Sequence, residues 1–151
     1  MSTQQLMDEK FMRRCLELAQ EARAMGEAAV GGVVVDGETI IGEGTESTRT
    51  LLDHSAHAEV LAIQAASQNL QSLKLNGTTL YTTVEPCVLC SWVIRKAGIA
   101  RVVFGVPAGE AGGFTLYGTT HDRPAPKRGD SLQFENPFPA HEPAQFEGCR
   151  N

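Results

Sequence analysis

A three-layer α/β/α sandwich around a mixed β-sheet is the fold class that this 151-residue sequence predicts. Three observations predict it. Amphipathic, helix-forming stretches are separated by short runs rich in Val, Ile, Thr and Tyr, the residues that fit a pleated surface. The pair Asp36-Gly37 divides two of those runs as a tight hairpin turn would. Farther on, strand, helix and strand signals follow one another without a long loop, which demands a right-handed parallel crossover.

Residues 8–25 read as the first helix. Phe11, Cys15, Leu18, Ala22 and Met25 recur three and four apart and share one face, which suits core packing. Asp8 and Glu9 suit its N-terminus, and Gly26 suits its end. Residues 29–35 and 38–42 are the hairpin strands; Gly31-Gly32 inside the first signals a bulge or a close backbone approach. Residues 43–55 read as a loop, and 57–67 as a helix sending Val60, Leu61, Ile63 and Ala65 to the core. Asn76-Gly77 turns the chain into a strand over 78–84. Pro86 then opens a helix, since its missing N–H costs nothing in a first turn. That helix runs to about Ala97 and stops at Gly98, and 100–106 is the next strand.

The predicted domain is therefore 1–106, with 107–151 an irregular C-terminal extension that carries six of the seven prolines and no helical period. Phe114, Tyr117, Phe134 and Phe138 are too many aromatics for a disordered tail, so the extension is expected to pack on the core or on a partner subunit.

Composition narrows the function classes. The net charge is −5, and the Lys and Arg residues are scattered apart from Arg95, Lys96 and Arg101 and from Arg123, Lys127 and Arg128. Both groups read as solvated surface charge, so nucleic acid is not an expected partner. No run is long and apolar enough for a membrane span, and the first residues lack the pattern of a secretion signal, so a cytoplasmic location is expected. Reduced cysteines fit that compartment.

Chemistry concentrates in two short stretches, His57-Ala58-Glu59 and Pro86-Cys87-Val88-Leu89-Cys90. One imidazole and two thiols make three soft-to-borderline metal ligands, and Glu59 is a spare carboxylate. A catalytic zinc site takes three protein ligands and keeps a fourth position open. Cys87 and Cys90 share a face in a helical first turn, where free N–H groups and the helix dipole favour thiolates. His57 and Glu59, two apart, converge only if the metal lies off the N-terminus of their helix. Two other readings use parts of this set. A structural zinc module would need a fourth ligand from Cys15, His54, His121, His141 or Cys149, and a redox Cys-x-x-Cys pair would leave His57 and Glu59 unused.

With Val30-Gly31, Ala56-His57-Ala58-Glu59 and Leu80-Tyr81-Thr82-Thr83 through Cys90, the chain resembles the cytidine/deoxycytidylate deaminase superfamily over roughly residues 8–106. Within it, the resemblance is to the branch of tRNA adenosine, guanine and fungal cytosine deaminases. It implies the same α/β/α fold, a Zn²⁺ cofactor on His57, Cys87 and Cys90, and Glu59 as the catalytic acid/base. It also implies that the Ala58 N–H binds the substrate base, and that the protein is a homodimer. In that branch the second hairpin strand ends Gly-x-Asn, the Asn bonding the base; here the stretch is Gly44-Thr45-Glu46, so Glu46 takes that place. An ionised Glu only accepts hydrogen bonds. With Glu46 in the site, the expected substrate is a donor-rich heterocycle such as an aminopurinone, pterin or aminotriazine; the alternative is that Glu46 points to solvent. Net acidity and the lack of the family's C-terminal helix favour a small free base or nucleoside, with a tRNA adenosine deaminase as the alternative reading.

Overall fold

A computed structural model describes residues 2–108, 112, 133–135 and 137. Its elements are α1 (Thr3–Ala24), β1 (Gly31–Asp36), β2 (Thr39–Thr45), α2 (Thr48–Leu51), α3 (Ala58–Leu70), β3 (Thr79–Val84), α4 (Val88–Ala97), β4 (Arg101–Val106) and β5 (Gln133–Glu135). The strands form one sheet in the order β2-β1-β3-β4-β5. The β1–β2 and β1–β3 pairs are antiparallel; β3–β4 and β4–β5 are parallel. The sheet is mixed, as predicted.

Strand alternation assigns the two cores. Val33, Val35, Tyr81 and Val103 pack with Phe11, Met12, Cys15 and Leu18 of α1. Their sequence neighbours Val34, Leu80 and Val102 face the other way, onto Ala62, Ile63 and Ala66 of α3 and Ile94 and Ala97 of α4. Three layers result. No helix among the described residues is long and apolar enough to cross a membrane.

Several local expectations need correction. α1 starts before residue 8, because Ser2 caps it: the Ser2 hydroxyl accepts from the Gln5 N–H while the Gln5 side chain accepts from the Ser2 N–H. Asp8 is consequently inside the helix, and buried. It accepts from the Tyr81 hydroxyl at 2.8 Å and pairs with both Arg101 terminal nitrogens at 2.8 Å. Arg101 also donates to Glu135 of β5 at 2.9 Å, so it is a structural clamp and not solvated surface charge. Burial works against the Asp8 carboxylate, but Arg101 and Tyr81 outweigh it and hold its pKa below the usual value. Met25, assigned to the buried face of the first helix, is exposed at its C-cap. The stretch read as a loop over 43–55 contains the end of β2 and the one-turn α2.

In α3 the buried positions are Ala58, Glu59, Ala62, Ile63 and Ala66, whereas Val60, Leu61 and Ala65 are only half-buried. The reason lies in β2. A side chain on Gly42 would run into Ala62 and Ala66, and one on Gly44 into Ala58 and Ala62. The helix rides on bare backbone, so only small residues fit its underside. Gly31 is a close approach of the same kind, against Cys15 and Leu18 of α1; the bulge is at Val34/Val35 instead.

Most of the C-terminal extension lies outside the described residues, including Phe114, Tyr117 and Phe138. Within it, Gln133–Glu135 add a strand to the β4 edge, and Gly112 makes an antiparallel bridge to Cys87.

Candidate active site

Two helix N-termini meet at one place. His57 is the N-cap of α3 with an extended backbone (φ −75°, ψ 149°), and Cys87 is the N-cap of α4 (φ −71°, ψ 179°). Neither side chain caps its own helix, so both are available to a shared ligand. Standing just outside the helix lets His57 turn toward the same point as Glu59, which sits in the first turn.

The donor atoms form a triangle. His57 Nδ1 is 3.5 Å from Cys87 Sγ and 3.4 Å from Cys90 Sγ, and the two sulfurs are 3.6 Å apart. Four-coordinate zinc, with bonds of about 2.3 Å to sulfur and about 2.0–2.1 Å to nitrogen, spaces neighbouring donors by roughly 3.6–3.8 Å. The set fits zinc in both spacing and donor type. These are the only three His, Cys, Asp or Glu residues among the described ones whose ligand atoms cluster in this way. Of the alternative fourth ligands, Cys15 is fully buried under α1 and donates to the Tyr81 carbonyl at 3.3 Å, and His54 is exposed. His121, His141 and Cys149 lie outside the described residues.

The two thiols share one hydrogen bond, which pulls Cys87 down to about 5 and pushes Cys90 up. A divalent cation displaces that proton and takes two thiolates. Burial works against a charged His57, yet the negative charges of Cys87, Glu46 and Glu59 outweigh it and raise its pKa.

Glu59 is only 4% exposed, and burial raises its pKa. Its Oε1 accepts from the Thr82 hydroxyl at 2.9 Å, and its Oε2 lies 3.6 Å from Cys90 Sγ. A carboxyl held beside the metal triangle, with its proton affinity raised by burial, can take a proton and return it. Ala58 is the first residue of α3 and fully buried; its N–H has no partner within the helix.

Glu46 follows β2, where Gly44 brings the strand under Ala58. Its N–H is bonded to the Val30 carbonyl at 3.0 Å, but its Oε1 is buried without a partner. Burial first, and then the charge of Glu59, push it up to about 7. The charges of His57, Glu59 and Cys87 all act on it.

Sequence reasoning missed Thr82. It lies on the same strand face as Leu80, so a polar side chain there must find a buried partner. That parity is the signal that could have found it.

Residues 6–106 match the cytidine and deoxycytidylate deaminase zinc-binding region. Over 99 residues the chain is 46% identical to the tRNA-specific adenosine deaminase of Haemophilus influenzae, covering 65% of this chain and 57% of that protein. The chain thus spans less than two thirds of that relative's length. Among solved structures, a tRNA:A34 deaminase superposes with a TM-score of 0.72 at 30% identity, over 84% of this chain and 98% of that one. The guanine deaminase of Bacillus subtilis superposes with a TM-score of 0.65, also at 30% identity, over 92% and 90% of the two chains. The exclusion of nucleic acid drawn from charge does not stand beside these relatives. Net charge sums over the whole surface, whereas phosphates are met by a few local donors.

Proposed function

The chain belongs to the zinc-dependent cytidine and deoxycytidylate deaminase family, and from that premise we propose that it removes the 6-amino group of adenosine presented in a transfer-RNA stem-loop. The 46% identity to a tRNA-specific adenosine deaminase supports that substrate over the free base or nucleoside expected from composition. The observation that carries the chemistry is the placement of Glu59, one oxygen tied to Thr82 and the other beside the His57–Cys87–Cys90 triangle.

Zinc held by those three residues would polarise and acidify a water molecule at its open position. Glu59 takes the proton from that water and hands it to the ring nitrogen next to the reacting carbon. The water oxygen bonds to that carbon; Glu59 next carries the oxygen's remaining proton to the exocyclic amine, the C–N bond breaks, and ammonia leaves while the carbon keeps oxygen. Water is consumed, ammonia is released and the ring becomes an inosine-type lactam. The Ala58 N–H, at the start of α3, holds the base edge. Burial of Ala58, Glu59 and Thr82 keeps bulk water from competing for these protons.

Glu46 favours a second reading, a ring with N–H donors, such as guanine. The likeness to a guanine deaminase supports it. Ionised, Glu46 accepts from such a ring; protonated, it donates one O–H to a bare purine nitrogen. Inosine formation in an anticodon stem-loop, run beside ammonia release from adenosine, guanine, cytosine, pterins and aminotriazines, tests the assignment. Inosine in the RNA is expected. Turnover of guanine with inert RNA would replace the first reading by the second.

A further inference from the structure

We propose that Thr82 is a positioning residue for the deamination, its hydroxyl tethering one oxygen of Glu59 so that the other faces the metal position without entering it. The inference rests on Glu59 as the proton carrier.

Thr82 is in the middle of β3 and fully buried. Its Oγ1 is 2.9 Å from Glu59 Oε1 and 3.0 Å from the Val84 carbonyl oxygen. One hydroxyl proton faces two acceptors, so only one can be served at a time. When Glu59 is a carboxylate, Thr82 donates to it. A proton taken up by Glu59 sits on Oε2, the oxygen that faces the metal position, so Oε1 goes on accepting from the Thr82 hydroxyl. Oε1 therefore stays paired and in the same place through the transfer. A group that alternates between base and acid needs that constancy, since a displacement of about 1 Å costs on the order of 100-fold in rate.

The tether also settles what Glu59 is kept from doing. Its Oε2 is 3.6 Å from Cys90 Sγ, within reach of the ion that Cys90 would hold. Without the Thr82 hydroxyl, the remaining partners are the Glu59 N–H and the Cys90 sulfur, which would itself be a metal ligand. A released carboxylate swings onto the metal and closes the position that water needs.

Thr82→Val keeps the shape and removes the hydroxyl; Thr82→Ala removes it without the branched side chain, and Thr82→Ser restores it. Each variant is measured as purified zinc protein and after Co²⁺ substitution. Thr82→Val and Thr82→Ala are expected to keep one metal per chain and lose roughly 100-fold in kcat, with KM within a factor of about three. Their Co²⁺ absorption should differ from wild type because a carboxylate has replaced solvent, and Thr82→Ser should recover most of both properties. Wild-type kcat in Thr82→Val, a superimposable Co²⁺ spectrum, or a serine variant as impaired as the valine one overturns the proposal. Glu59→Gln is the control for the underlying reading. If it remains active, the proton-carrier role fails; if it is inactive while Thr82→Val is normal, only the tether fails.

Discussion

Two carboxyls and three ligands make separable claims at the scale of single residues. Cys90→Ala removes one corner of the triangle and should lose zinc, as should His57→Ala or Cys87→Ala; full zinc retention in any of them, by metal analysis after gel filtration, would contradict the ligand set. Glu59→Gln keeps size and polarity but cannot take a proton, so zinc stays and kcat falls by about 10²–10⁴-fold. Glu46 gives a pH test that separates the two substrate readings. Its pKa is pushed up to about 7, and zinc with two thiolates adds little net charge nearby. Adenosine needs the protonated form as donor, so its kcat/KM should fall up to tenfold per unit as pH rises beyond that value. A donor-bearing ring needs the ionised form, and its kcat/KM should rise through the same window. Glu46→Gln, which donates at every pH, should flatten the adenosine profile. A wild-type adenosine profile that is already flat there would remove Glu46 from the base contact. That His57, Cys87 and Cys90 come together with Glu59 beside them was legible in the sequence, because their spacing is set by two helix starts. Thr82 and Asp8 were not, since each is defined by a partner distant in sequence, Glu59 and Arg101 respectively.

Elements decide whether those residues meet. The N-terminus of α3, which carries His57 and Glu59, is seated on β2 where Gly44 leaves room for the Ala58 backbone. Gly44→Ala forces that helix end away from the sheet. Overpacking of this kind costs about 1–3 kcal/mol, and a Tm lower by roughly 2–4 °C per kcal/mol is expected for a chain of this length. The distinguishing consequence is local: zinc should be lost to a chelator faster than in Gly37→Ala, a turn position with open space around it but a φ of +61°. Equal zinc retention in the two variants, at equal loss of Tm, would show that the seat is only structural. Helix ends were readable where a capping residue announces them, as at Gly98, which takes φ +79° after α4. They were misread where the cap is remote from the apolar stripe, as at Ser2. The buried face of α3 was misread for a different reason: hydrophobicity favours Val60 and Leu61, whereas the glycines of β2 admit only alanines beneath the helix. That constraint belongs to the partner strand and has no signature within α3 itself.

At the scale of the whole molecule, the order of strands and helices followed from local signals because each crossover leaves little topological choice. The addition of β5 did not, because a three-residue strand has no period to read. Its place on the β4 edge is fixed by the contact of Glu135 with Arg101. For assembly, α4 supplies the physical argument. One side of this helix buries Cys90, Ile94 and Ala97, while Val88, Leu89 and Trp92 stand 41%, 41% and 56% exposed beside the metal triangle. Val88 and Trp92 are four apart and Leu89 adjoins them, so the three form one outward face. Covering a half-exposed side chain of this kind contributes about 1 kcal/mol, so two copies packing α4 against α4 gain on the order of 6 kcal/mol. Association costs about 4–15 kcal/mol, so this face needs additional contacts and the dimer should depend on concentration. Light scattering across about 1–100 μM should therefore show the 16 kDa chain passing to a particle of twice that mass. Trp92→Glu places a charge at the centre of the face and should hold the protein at the monomer mass without loss of zinc. A wild-type chain that stays monomeric over the whole range, or a Trp92→Glu variant that dimerises as readily, would rule out α4 as the joining surface.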